Sequence, residues 1–377
     1  MTYPVLGTGA VASIGSDPHE IFRSLCDGRS GLAPLRAFDR TKFNAQLLFE
    51  IDDRPTQGTD EPARATRFLL DAVRQAAADA GLPEDLAGIP VLVGTGLREL
   101  RSLELWWRDG ARFDADGLHF DGALRERFGA TDTHTLAGAC SASLYALALG
   151  WDLLELGEAE TVIVAGCDVV TESMYGQADR VQFEPPTAVR PFDKERRGTI
   201  LGEGAAAVVL GRAPRADRPV RGWLRSVAVN CDAHHQTAPD AAGVEAAVRQ
   251  AHDRAAVTPG DIDLVVLHGT GTHLNDSTEI AVTAEVFGAD RPALTGIKSL
   301  TGHTSGSAGL LSLIMALRSL ETSVVPPVAG LTDPLPEGAG LRLVAGEPIT
   351  GDLRVAQVNS FGFGGVNAVA IVAKEAA

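Results

Sequence analysis

An internal echo constrains the fold of this chain more than any other feature of its sequence. Gly138-Ala139-Cys140-Ser141-Ala142-Ser143 stands immediately before an apolar, helix-like run, Leu144 to Leu156. Gly302-His303-Thr304-Ser305-Gly306-Ser307-Ala308-Gly309 stands before another, Leu310 to Leu320. A buried-strand pattern, Thr161-Val162-Ile163-Val164-Ala165-Gly166, follows the first helix. Thr322-Ser323-Val324-Val325-Pro326-Pro327 is expected to play the same part after the second. Between them Arg212-Ala213-Pro214-Arg215-Ala216-Asp217-Arg218-Pro219 is polar and proline-bearing, as a linker would be. Strand and helix patterns alternate on both sides of it, which points to a layered α/β architecture. The chain is therefore divided at 1–215 and 216–377, one half carrying Cys140 and the other the histidines and lysine described next.

Cys140 falls at the expected first turn of its helix. Unpaired backbone N–H groups there present partial positive charge, which favours a thiolate. Its small neighbours Gly138, Ala139, Ser141 and Ala142 leave room for a bulky acyl group. A free cysteine by itself is more often a small buried hydrophobe, so the weight rests on its company. Asp263-Leu264-Val265-Val266-Leu267-His268-Gly269-Thr270-Gly271-Thr272, followed by Asp276 and Glu279, reads as a buried strand that delivers an imidazole at its C-terminal end. Ligand sites of α/β folds gather at such ends. Lys298 and His303 flank a tight glycine-bearing turn that opens the second helix. Asn359-Ser360-Phe361-Gly362-Phe363-Gly364-Gly365-Val366-Asn367 completes the set, its glycines allowing a mobile loop whose backbone N–H can approach a substrate. Each residue has a plainer reading: a strand-end histidine that is merely hydrogen-bonded, or a Lys298–Glu279 ion pair that only orders a loop.

Taken together, these segments resemble the β-ketoacyl-acyl-carrier-protein synthases, the decarboxylating condensing enzymes of fatty-acid and polyketide assembly. The resemblance includes Val189-Arg190-Pro191-Phe192-Asp193, Arg197-Gly198 and Leu201-Gly202-Glu203-Gly204-Ala205-Ala206, and runs from Val5-Leu6-Gly7-Thr8-Gly9 to the C-terminal strand. It implies a thiolase-like fold in which two similar α/β halves form a layered αβαβα core. It implies that Cys140 carries the acyl group by transthioesterification, and that His268 and His303 sit over the malonyl thioester carbonyl and stabilise its enolate. By the same resemblance the backbone N–H groups of Cys140 and Phe363 form the oxyanion hole, and Phe363 gates entry of the second substrate. Lys298 holds the site's electrostatics with Glu279 as its buried partner. Gly362, Gly364 and Gly365 support the loop, and Thr270, Thr272 and Asn367 bind substrate. The implied partner is an acyl carrier protein bringing malonyl and acyl thioesters. Its phosphopantetheine belongs to the substrate, so no bound cofactor or metal is expected.

The same residues separate neighbouring families. Degradative thiolases need a second cysteine near the C-terminus, and no cysteine follows Cys231. Starter-type synthases resemble a Cys-His-Asn arrangement, whereas the third position here is His303. Chain-length-factor partners lack the cysteine. What remains is an elongating Cys-His-His synthase, expected to be a stand-alone secondary-metabolite enzyme and a homodimer. Two alternatives stay open: an acyltransferase on the same scaffold that does not decarboxylate, and one subunit of a ketosynthase heterodimer.

Composition sets limits. The net charge of −16 argues against a general nucleic-acid binder. It also raises a puzzle, because carrier proteins are typically acidic. Arg64, Arg67 and Arg74 on one expected helix are candidates for a local basic patch, or simply for a solvated face. No apolar stretch is long enough to span a bilayer and no leader pattern opens the chain. Four scattered cysteines suit a reducing cytoplasm. Gly7-Thr8-Gly9-Ala10-Val11-Ala12 imitates a dinucleotide fingerprint but lacks its acidic residue. His234-His235 and His268/His273 lack the further ligands a metal needs. The segment from Leu97 to Asp132 departs from the family, carrying Trp106-Trp107 in a dense mix of Arg, Asp and Glu. Either it serves a specialised acyl chain or partner, or it is an amphipathic helix with one tryptophan packed inward.

Overall fold

The computed structural model describes residues 2–54, 60–181 and 184–376. Eleven strands among them make one sheet: β1 (Tyr3–Ala12), β2 (Val91–Thr95), β3 (Thr133–Ala137), β4 (Thr161–Asp168), β5 (Gly204–Gly211), β6 (Gly222–Cys231), β7 (Leu264–Val266), β8 (Ala293–Thr295), β9 (Arg342–Leu343), β10 (Val355–Gly362) and β11 (Val366–Ala373). The helices that build the site and its supports are α1 (Arg64–Asp79), α2 (Leu100–Asp109), α3 (Ala142–Glu155), α4 (Ala241–Ala255), α5 (His273–Phe287) and α6 (Ala308–Thr322).

The strand order is β9-β8-β7-β10-β11-β6-β1-β5-β4-β2-β3, and it contains one pattern twice. Running outward from the middle, β1–β5 and β5–β4 pair antiparallel, then β4–β2 and β2–β3 pair parallel. On the other side β6–β11 and β11–β10 pair antiparallel, then β10–β7 and β7–β8 pair parallel. The two sets meet where Tyr3–Val5 pairs with Gly222–Leu224.

Alternation along each strand explains the layers, since successive side chains face opposite sides. Val208 and Leu210 of β5 join Ala368, Ala370 and Val372 of β11 in a central core around α3 and α6. Ala207 and Val209 face the other way, onto Leu69, Ala72, Val73 and Ala76 of α1. Val369 and Ile371 likewise face Val244, Ala247 and Val248 of α4. The central core fills both faces of the middle helix layer and the other two lie under the outer helices, which gives the αβαβα arrangement.

The glycines of β1 have a packing reason. A Cβ on Gly7 would lie 2.3 Å from the carbonyl oxygen of Ala76, and one on Gly9 would lie 2.2 Å from that of Ala72. The dinucleotide-like run is thus a strand pressed against α1. Gly9→Val is expected to destabilise the fold by at least about 1–3 kcal/mol, because helix backbone must move. Urea denaturation checks this through a lower midpoint at unchanged slope.

The echo is structural at its centre. Ala139 and Ser305 are both left-handed, at φ 48° and 50°, and each begins a 3₁₀ turn, Ala139–Ser141 or Ser305–Ser307. Those turns lead into α3 and α6. The echo fails further on. Val324–Val325 pairs only with Ile349–Thr350, outside the main sheet, and the counterpart of β4 is β10. Pro326 and Pro327 lack the N–H that a ladder needs, so a core strand cannot continue there.

Two further expectations change. In α2 the inward residues are Arg101 and Leu105, while Trp106 and Trp107 are 48% and 82% exposed, so neither tryptophan packs inward. Arg64 of α1 is buried, with its guanidinium on Glu203 at 2.8 and 3.0 Å, so it cannot greet a partner. Arg67 lies within 3.7 Å of Asp53 and Glu61, and Arg74 bonds Asp71, which neutralises the proposed basic face. No helix among the described residues is long and apolar enough to cross a membrane.

Candidate active site

The turn that carries Cys140 is stitched to the glycine loop. Ser141 donates its hydroxyl to the carbonyls of Ser360 and Val366, both at 2.9 Å, and Ser360 donates to the carbonyl of Cys140 at 3.0 Å. A Cβ on Gly362 would sit 2.7 Å from Val366 Cγ2, so the hairpin between β10 and β11 closes tightly there. Gly364 and Gly365 have φ of 86° and 78°, conformations that glycine alone enters without strain. Phe363 at the tip is 59% exposed, yet its backbone N–H and that of Cys140 act on the Cys140 thiol and favour its charged form.

That sulfur differs from the expectation. The residue keeps some solvent access, but its thiol is enclosed, and burial pushes it up to about 11. The positive charge of Lys298 and the two backbone N–H groups pull the other way without winning. Desolvation of a charged sulfur outweighs one helical turn's partial charge. At pH 7 Cys140 is therefore a thiol.

Two imidazoles converge on it. His303 Nε2 lies 3.1 Å from Cys140 Sγ, and the ring centroids of His268 and His303 are 5.5 Å apart at 82°. Both rings are buried and neutral at pH 7: burial holds His303 down to about 3 and His268 well below the usual range, with Lys298 adding to both. Their tautomers follow from their other nitrogens. The Ser305 N–H donates to His303 Nδ1 at 3.2 Å, and the Lys298 ammonium donates to His268 Nδ1 at 3.3 Å and to the His268 carbonyl. Each ring therefore carries its proton on Nε2. With its proton there, His303 is a donor toward the sulfur rather than a base.

Lys298 itself is buried, which lowers it to about 8 against the raising influence of Glu279. Glu279 is not its direct ion-pair partner. Its oxygens are taken by the backbone N–H groups of His268 (2.6 Å) and Gly269 (2.8 Å) and by Asn359 Nδ2 (3.0 Å). The carboxylate acts on the lysine through charge and on His268 through the backbone. Asp276 pins the next turn, accepting from the N–H groups of Thr270 and Gly271 at 3.1 and 3.2 Å.

The hydroxyls of Thr270 and Thr272 bond each other at 2.8 Å on the loop between β7 and α5. Asn367 is less free than expected: its amide nitrogen is held by Asn230 and Asp232, both at 3.0 Å, and its Oδ1 is buried. Sequence reasoning missed Asp168, at the end of β4. Its carboxylate accepts from Thr95 Oγ1 and the N–H groups of Gly96, Leu97 and Gly306, joining β2 and β4 to the turn before α6. Burial raises it to about 6. An acidic residue closing an otherwise apolar strand was the available signal. His234, His235 and His273 build no cluster of three or more metal-ligating side chains among the described residues.

A duplicated five-layer α/β body, with a cysteine from one half beneath imidazoles from the other, defines a thiolase-like scaffold for acyl thioesters. The comparisons with known proteins narrow this. The N-terminal domain model of the beta-ketoacyl synthases matches residues 4–216 and the C-terminal one residues 221–332. The 3-oxoacyl-[acyl-carrier-protein] synthase 2 of Mycobacterium tuberculosis strain H37Rv is 30% identical over 399 residues, covering 96% of this chain and 95% of the relative. The chloroplastic 3-oxoacyl-[acyl-carrier-protein] synthase I of Hordeum vulgare is 28% identical, covering 98% and 88%. A solved structure, the ishigamide ketosynthase/chain length factor, superposes with a TM-score of 0.88 at 30% identity, covering 100% and 99%. The chain belongs to the beta-ketoacyl synthase family.

Proposed function

We propose that this chain condenses an acyl group, held on Cys140, with malonyl-acyl carrier protein to give a β-ketoacyl carrier in polyketide or fatty-acid assembly. The observation that carries the reading is a pair of buried, neutral imidazoles with rings 5.5 Å apart, one of them with its Nε2 at 3.1 Å from the cysteine sulfur. In the first step the sulfur attacks the acyl-carrier thioester, and the carrier's thiol leaves with the Cys140 proton. The N–H groups of Cys140 and Phe363 hold the tetrahedral oxyanion. The malonyl thioester then enters past Phe363, with Thr270, Thr272 and Asn367 as its binding residues. Its carbonyl oxygen takes hydrogen bonds from His268 and His303, the carboxylate leaves as CO₂, and the enolate forms against those donors. Its carbon attacks the Cys140 thioester; a C–C bond forms, the C–S bond breaks, and the Cys140 thiolate takes one proton from solvent. Gly362, Gly364 and Gly365 let the loop deliver the Phe363 N–H and move its side chain. The phosphopantetheine comes with the carrier, and the chemistry asks for no other cofactor.

Lys298 keeps the correct tautomer of His268 while it is protonated. Decarboxylation should therefore fall as pH rises through about 8, where the ammonium is lost, and hold level from there down to neutral pH. A Lys298→Met variant should lose most of the rate and this limb of the profile. A rate that kept rising through pH 9 would contradict the role. The condensing reading itself is tested with carboxyl-labelled malonyl carrier: one labelled CO₂ should be released per β-ketoacyl carrier formed.

Residues 1–215 and 216–377 are proposed as the two halves, and β3, which ends the sheet beside β2 among the described residues, as the dimer edge. Likeness to a ketosynthase/chain length factor structure favours a second reading, a heterodimer. An unlike subunit that copurifies and is required for condensation would establish it.

A further inference from the structure

The outer side of β10 carries polar groups inside an apolar layer. Gln357 and Asn359, two residues apart and on one face, are buried beside Val244, Val248, Val286 and Phe287. His252 of α4 is buried there too, its ring edge-on to Phe287 at 5.8 Å. Buried polar side chains cost stability unless paired, and these are paired in series. His252 Nε2 meets Gln357 Oε1 at 2.6 Å, Gln357 Nε2 donates to Asn359 Oδ1 at 2.7 Å, and Asn359 Nδ2 donates to Glu279 at 3.0 Å. Direction is forced from the inner end. A carboxylate that accepts from His268 and Gly269 requires the Asn359 amide N–H, which turns Oδ1 outward. That oxygen needs the Gln357 N–H, which turns Oε1 toward His252 and makes its Nε2 the donor.

We propose that His252 and Gln357 are positioning residues for decarboxylation, acting through Asn359 and Glu279 on the backbone that carries His268. The proposal rests on the condensing function above. Without the Gln357 donor, the Asn359 oxygen is buried and bare, and the amide rotates in search of a partner, loosening its Nδ2 bond to Glu279. The carboxylate then shifts against the His268 and Gly269 N–H groups, and the imidazole loses its alignment with Lys298. Cys140, held by Ser141 and Ser360 on the opposite side, is untouched.

The test uses the full chain with malonyl and acyl carriers and reads two half-reactions separately: CO₂ release, and acyl adduct on Cys140 by intact-protein mass spectrometry. Gln357→Met and His252→Phe should lower the decarboxylation kcat about 5- to 100-fold, with its KM and the acylation rate changed by less than about twofold. His252→Gln, which keeps a donor toward Gln357, should recover most of the rate. The double variant should lose no more than Gln357→Met alone, because His252 acts through Gln357. Equal losses in both half-reactions, additive losses in the double variant, or unchanged decarboxylation would overturn the proposal. Should His252→Phe fail to fold, Gln357→Met and His252→Gln carry the comparison. A wild-type chain that releases no CO₂ from malonyl carrier would overturn the condensing reading, and the proposal with it.

Discussion

Cys140→Ala should take up no acyl group from any carrier thioester, and its condensation should fall by at least about 1,000-fold. The loss is this large because, among the described residues, no second thiol is bonded to the imidazoles. Cys167 is buried within β4, and Cys231 is exposed at the end of β6, bonded to the Gly364 carbonyl. The fold should survive, since alanine fits among Ala139, Ser141 and Ala142 and the stitching runs through Ser141, Ser360 and backbone carbonyls. Intact-mass analysis beside thermal melting checks both halves of the statement. Normal condensation by this variant would end the mechanism.

His268→Ala gives the second large effect, and a selective one. Removing one of two donors to a developing oxyanion costs about 100- to 1,000-fold. Here it also leaves the Lys298 ammonium without its Nδ1 acceptor. Decarboxylation should fall by that factor while Cys140 still takes up an acyl group, because the oxyanion hole proposed for that step is made of backbone N–H groups. His303→Ala is expected to lose condensation in the same way. It should retain loading, since its Nε2 proton makes it a donor to the sulfur. The check is a comparison of CO₂ release with adduct formation in one series of variants.

Much of this site was legible in the sequence because its parts are local. A cysteine before an apolar helix, a histidine ending an apolar strand and glycines that need positive φ each leave a mark within ten residues. The duplicated core showed itself for the same reason, as two helix entries of like composition. What escaped depends on burial and distant partners. The Cys140 thiol was expected to be activated by its helix, but enclosure reverses the direction of the shift, and enclosure comes from residues more than 100 positions away. Arg64 looked like a docking charge until Glu203, 139 residues on, accounted for it. Gln357 reads as one polar residue in a strand; only packing against α4 gives it His252, 105 positions earlier. Thr322–Pro327 imitates a core strand in composition, and two prolines keep it out of the sheet.

The most direct measurement is a single-turnover chase followed by intact-protein mass spectrometry. The chain is loaded with a short acyl group from its carrier, freed of excess, and mixed with malonyl carrier. The account predicts an acyl mass on Cys140 that disappears as a β-ketoacyl carrier appears, with one CO₂ lost per turnover. An acyl group that leaves Cys140 for an alcohol, amine or thiol with the malonyl carrier intact would contradict it and make the chain an acyltransferase.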